Sequence, residues 1–131
     1  MSCYLSIIGK DLDVDAFVER IGIKEFEKRF KGELISARRN KYSEHSSASV
    51  KISDAGFENF KQQIEEAEVF LNTYKDNLKC IVDTDGVEYA NINFGVNELL
   101  EKSVQSFYFP ISLITICEEL KISIETTVYK L

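Results

Sequence analysis

The sequence predicts an α+β fold, an antiparallel or mixed sheet with helices packed mainly on one face, in the order β-α-β-β-α-β-β-α-α-β. Three observations carry this expectation. The chain opens on a short apolar, β-rich run that stops at Gly9. A stripe of apolar residues spaced by three and four extends from Phe57 to Leu78. Val50 and Ile52 in mid-chain and Ile122, Ile124 and Val128 near its end alternate with polar residues, as half-buried strands do. With 131 residues, 44% of them hydrophobic and 29% charged, residues 1–131 are expected to form a single domain with its own core. Disordered chains lack the apolar side chains to offset ordering entropy, so disorder is excluded for most of the length.

Residues 3–8 read as a buried first strand. Asp13 is a good N-cap for a helix in which Val14, Phe17, Val18 and Ile21 recur at i, i+3, i+4 and i+7, with Gly22 fitting the C′ position. After a charged connection over residues 24–31, residues 33–37 and 49–53 read as strands, and the polar stretch 38–47 between them as a mobile hairpin loop. Residues 55–77 form the best-defined element, a long amphipathic helix with Phe57, Phe60, Ile64, Ala67, Leu71, Tyr74 and Leu78 on its inner stripe. Its outer face is acidic through Glu58, Glu65, Glu66 and Glu68, and Val69 falls at ~100° per residue well away from the stripe, so it is expected to face solvent.

Residues 78–84 and 87–94 flank Asp85-Gly86, a strong hairpin signal because a type I′ turn requires φ > 0 at both central residues. Asn97 is expected to cap a short helix through Val104, ahead of the aromatic run Phe107-Tyr108-Phe109. Pro110, the only proline, suits the start of a nearly all-apolar and therefore buried helix carrying Leu113, Ile114, Cys117 and Leu120. A closing strand over residues 122–129 completes the chain.

Charge narrows the function classes. The chain has 16 Lys and Arg against 22 Asp and Glu, a formal net charge of −6 and a pI near 4.9. Residues 1–53 carry +2, residues 54–85 carry −5 and residues 86–131 carry −3, so the acidity is concentrated downstream. Such a chain suits a cationic partner and is not expected to bind nucleic acid. Nothing approaches the ~18–20 apolar residues of a membrane span, and the opening residues lack a basic leader, so a cytoplasmic protein with no membrane attachment is expected. Cys3, Cys80 and Cys117 are odd in number with no CxxC pair, and read as reduced, buried thiols.

Candidate chemistry is thin. Asp11, Asp13 and Asp15 imitate the start of a calcium loop, but Ala16 stands where the turn needs glycine and Gly22 where a bidentate glutamate belongs, so no metal is expected. Acids at a helix N-terminus offset its dipole and explain the same residues. His45 is the only histidine, and although Tyr42, Ser43, Glu44, Ser46 and Ser47 surround it, adjacent residues on a loop do not hold a triad's geometry. There is no GxSxG elbow, and the six glycines form neither GxGxxG nor GxxxxGK, so no catalytic residue and no cofactor is expected. The basic cluster Arg38-Arg39-Asn40-Lys41 lacks stacking aromatics apart from Tyr42. The run Phe107-Tyr108-Phe109 reads as core before a buried helix.

Both ends of the chain resemble a known family. Tyr4-Leu5-Ser6-Ile7-Ile8-Gly9, Leu12 with Asp15, Ile21-Gly22-Ile23 and Lys31-Gly32-Glu33 resemble the opening of the bacterial domain-of-unknown-function 4279 family, and Leu120-Lys121-Ile122-Ser123-Ile124 through Val128-Tyr129 resembles its close. This chain lacks the tryptophan expected around the third strand, as in a divergent member. The resemblance implies a cytoplasmic α+β domain in a class similar to the immunity proteins encoded beside bacterial polymorphic toxins, and it brings no catalytic residues. The leading expectation is a non-enzymatic protein-binding domain that occludes a cognate toxin, such as a basic nuclease, through Glu58, Glu65, Glu66, Glu68 and Val69. The alternative is a small-ligand-binding or enzymatic domain using Arg38, Tyr42 and His45.

Overall fold

The computed structural model describes residues 2–98 and 103–130. Strand β1 (Cys3–Gly9) is flanked antiparallel by β5 (Ser46–Ser53) and β6 (Tyr89–Asn97). Beyond β5 lies the short edge strand β2 (Glu27–Arg29), and beyond β6 the strand β7 (Ile122–Tyr129), parallel to it, giving a mixed sheet of order β2-β5-β1-β6-β7. A separate two-stranded sheet pairs β3 (Leu34–Ser36) with β4 (Lys41–Tyr42). Helices α1 (Val14–Ile21), α2 (Phe60–Thr73), the single turn α3 (Lys75–Leu78) and α4 (Ile111–Leu120) complete an α+β fold.

Period-two alternation decides which face the helices cover. Leu5 lies opposite both Val50 and Ile92, and Ile7 opposite both Ala48 and Ala90, so these side chains form one apolar face. They are buried together with Cys3, Ile52, Phe94 and the inner residues of the helices. The other face presents Tyr4, Ser6, Ser49, Asn91 and Asn93. The Ser6 and Ser49 hydroxyls are hydrogen bonded at 2.8 Å, and both asparagine amides donate to Glu125 Oε1. Helix α1 forms as its sequence requires, with the Asp13 carboxylate accepting the Ala16 N–H at 3.1 Å and Gly22 closing it at φ 72°.

Several expectations are corrected. Residues 78–84 form no strand: α3 ends at Leu78, a 3₁₀ turn spans Lys79–Ile81, and turns follow, because Leu78 and Ile81 continue the buried stripe of α2. Asp85-Gly86 is accordingly not a type I′ hairpin. Gly86 alone has positive φ (88°) and Val87 N–H donates to Thr84 O, the signature of a type II turn. The long helix begins at Phe60, not Ala55, since Asn59 caps it through the Gln62 N–H, and it breaks at Tyr74. The charged connection contains β2, an edge strand with exposed side chains. The stretch read as a loop over residues 38–47 instead supplies β4, with Asn40 at φ 49° in the turn between β3 and β4, and the start of β5. Asn97 ends β6, and the helix expected from it falls largely on residues 99–102, outside the described residues. Helix α4 is not wholly buried, for Ile111 and Ile114 are exposed.

Candidate functional site

Helix α2 buries Ile64, Ala67 and Leu71 against the sheet, which turns Lys61, Glu65 and Val69 outward. Val69 is 67% exposed, as its place on the helix predicts. At the N-terminal end of α2, Phe60 is ringed edge-to-face by Phe94, Phe107 and Phe109 at centroid distances of 5.7, 5.2 and 5.4 Å. These contacts dock residues 107–109 against the helix. Tyr108, between the two docked rings, points away and is 77% exposed.

The docked segment and α2 enclose a groove of about 640 Å³, lined on its apolar side by Phe60, Ile64, Tyr108 and Pro110 and on its polar side by Glu58, Glu65, Glu68, Lys61 and Ser112. Three of the five residues expected to bind a partner therefore converge. Glu66 and Val69 do not join them. They line a shallower depression of about 920 Å³ on the other flank of α2, with Ile52, Phe70 and Tyr74. Lys61 and Glu65 form the ridge between the two.

The carboxylates differ in their freedom. Glu66 accepts the Ser53 hydroxyl at 3.0 Å and the Gln62 amide at 2.8 Å, and Glu68 accepts the Ser112 hydroxyl at 2.7 Å, so both are held by the fold. Glu58 and Glu65 are exposed and accept no hydrogen bond among the described residues. A groove with free carboxylates, an exposed phenol ring and an apolar floor suits a Lys or Arg side chain, whose head meets the carboxylates while its methylene stem lies on the floor. Of the run Phe107-Tyr108-Phe109 expected as core, Tyr108 is instead exposed. Its signal is the alternation Phe107 in, Tyr108 out, Phe109 in of an extended segment.

The residues of the alternative site are not assembled. Arg38 is exposed in the turn between β3 and β4, and Tyr42 lies on β4 opposite Leu34. His45 precedes β5 with Nε2 3.8 Å from Glu88 Oε2, a carboxylate that also accepts the Lys10 N–H. Among the described residues no hydrogen bond, ion pair or ring contact joins Arg38, Tyr42 and His45. The three acids near the first helix are separately employed: Asp13 caps α1, Asp15 pairs with Lys28 at 2.6 Å, and the Asp11 backbone lies against Gly86. Among the described residues no group of three or more His, Cys, Asp or Glu could hold a metal ion.

All three cysteines are free thiols. Burial pushes Cys3 far above the ordinary thiol range, with Cys117 and Glu66 adding to the rise, and pushes Cys117 up to about 11. Half-buried Cys80 is raised by burial too, with Arg20 opposing the rise. In each case the folded value lies above the ordinary 9.0, so the thiols leave stability unaffected below that value and lower it as pH rises beyond. An alkylating reagent applied to the native protein is expected to label Cys80 first, with Cys3 and Cys117 protected until the core opens. Mass spectrometry of the labelled peptides checks this, and equal labelling of Cys3 and Cys80 would contradict the packing.

No protein-family model, no curated protein and no solved structure matches this chain.

Proposed function

We propose that this chain is a protein-binding domain without catalytic chemistry of its own, which receives a basic and partly apolar segment of a partner protein in the groove between α2 and Tyr108. The convergence of Glu58, Glu65 and Glu68 around Phe60, Ile64 and Tyr108 carries this reading. The chain's net charge of −6 adds a field that steers a cationic partner toward it. In its finer form, which draws on the resemblance of the chain ends to the domain-of-unknown-function 4279 family, the partner is a toxin encoded beside the gene and binding occludes its working surface.

The test uses a labelled short peptide of alternating arginine and leucine, with a lysine-glycine peptide of equal charge as control. The first peptide is expected to bind saturably, more tightly than the second, and less tightly as salt rises. Glu58→Lys combined with Glu65→Lys is expected to weaken it at least about tenfold, because attraction becomes repulsion at two close contacts. At high salt, where charge pairs between molecules are screened, thermal stability should move by less than ~0.5 kcal/mol, since neither side chain is held by the fold. Equal affinity of the double variant and the parent would remove the groove as the site. For the finer reading, the parent chain should neutralise the neighbouring toxin in co-expression and the double variant should do so less well.

A further inference from the structure

Chain segment 27–44 stands apart from the rest of the molecule in charge and in burial. It carries six basic and three acidic residues, +3, in a protein of net −6. Its hairpin, β3 and β4, is held by Gly32 N–H to Ser43 O and Ser43 N–H to Glu33 O, and all its strand residues but Ser36 are exposed. Phe30, Leu34, Ile35 and Tyr42 are thus large apolar side chains left exposed on this arm. Of the cations around them, Arg29, Lys31, Arg38, Arg39 and Lys41 have no ion-pair partner among the described residues, whereas Lys28 is paired with Asp15. A bare two-stranded hairpin is marginal in water, so such an arm is stabilised when something covers it.

We propose that the arm is covered by a second copy of this chain, and that it lies in the groove between α2 and Tyr108 of that copy, reciprocally, so that a two-fold dimer buries both arms and both grooves. The inference rests on the reading of that groove as a site for basic, partly apolar segments. Charge complementarity carries it: the arm has cations around apolar residues, and the groove has Glu58, Glu65 and Glu68 around Phe60, Ile64 and Tyr108. The arm does not reach the groove of its own chain, since none of its residues lines it. A one-way contact would propagate into an open chain, whereas reciprocal exchange closes at two copies.

Other polyanions fit the arm less well. Arg38 and Arg39 sit at the tip and the apolar residues in the stem, so entry into a bilayer would bury the cations first. Glu27, Glu33 and Glu44 interrupt the cations, and Leu34 and Ile35 offer nothing to a phosphate backbone. In the dimer each groove is already occupied, so a basic partner has to displace the arm.

Sedimentation equilibrium of the whole protein tests this. At low salt the parent chain is expected at twice the chain mass, shifting toward the chain mass as salt rises. Arg38→Glu with Arg39→Glu, and separately Glu58→Lys with Glu65→Lys, are each expected to raise the dissociation constant at least tenfold. An equimolar mixture of the two variants is expected to recover the double mass, because each reversed arm then meets a groove of opposite sign. That recovery also shows that both variants are folded. A parent chain that stays monomeric at low salt, a mixture that stays monomeric, or a ladder of higher masses would each overturn the proposal. The groove reading is tested apart from it by the arginine-leucine peptide, which the arm variant should bind at least as tightly as the parent, its internal competitor being gone. Peptide binding without a dimer would overturn only the dimer, and a dimer that survives reversal of Glu58 and Glu65 would overturn the place assigned to the arm.

Discussion

Gly86→Val is expected to destabilise the protein by about 4 kcal/mol, through two costs that add at one position. Gly86 has φ 88°, a region that a β-branched residue enters only under strain. There is also no space for a side chain. A Cβ at Gly86 would stand 2.6 Å from Asp11 O and 2.9 Å from Leu12 Cα, and both are backbone atoms that cannot rotate aside. Gly9 is the counterpart, since a Cβ there would collide with the Gly86 carbonyl, and beside it the Glu88 N–H donates to Ile8 O at 2.9 Å. The turn before β6 is therefore packed against the chain that leaves β1, and Gly86→Val pushes on the Asp13 cap of α1. Asp85→Ala is expected to change stability by less than ~0.5 kcal/mol, because Asp85 is exposed and its φ is not positive. A urea titration of both variants checks this, and a large loss for Asp85→Ala or a small one for Gly86→Val would contradict the turn.

Gln63→Glu is expected to cost more than about 3 kcal/mol at neutral pH although it changes shape hardly at all. Gln63 is fully buried, and its Nε2 donates to Gly56 O at 3.0 Å and to Gly95 O at 2.7 Å. Those two bonds tie the approach to α2 to the end of β6. A carboxylate there would face two carbonyl oxygens without a donor, so burial and repulsion raise its folded pKa above the unfolded value of about 4.3. The sign follows: the variant is least impaired below that value, where the protonated acid still donates to one carbonyl, and loses stability as pH rises through it toward the raised folded pKa. Denaturation midpoints measured across acid and neutral pH check this, and a parallel profile for parent and variant would show that position 63 is not dry. Gln63→Leu is expected to lose about 1–3 kcal/mol without the pH slope, because the two carbonyls lose their donor but no charge is buried.

The groove was legible only in part. The stripe of α2 is read from spacing alone, and the outward direction of Glu65 and Val69 follows from it by helix geometry. Glu66 and Glu68 share the acidic composition, yet Ser53 and Ser112, distant in sequence, hold them in the fold and leave Glu58 and Glu65 free. Their separation into two depressions depends on where residues 107–109 dock, which the rings of Phe60 and Phe94 decide.

Features with a local cause are legible in the residues themselves: the α+β class from the two periodicities, α1 from Asp13 and Gly22, the inward side of β5 from the alternation of Val50 and Ile52, and the exposure of Val69. Features whose cause lies far along the chain were set instead by tertiary packing. Residues 78–84 have β-rich composition but form the end of α3, a 3₁₀ turn and further turns, because Leu78 and Ile81 gain more by filling the core beneath α2 than by pairing across Asp85-Gly86. Residues 24–31 look like a connection, and three of them become a strand because the outer edge of β5 offers hydrogen bonds that no local pattern announces. Local propensity is worth tenths of a kcal/mol per residue and burial of one large side chain about 2 kcal/mol, so where the two disagree the contact made across the fold prevails.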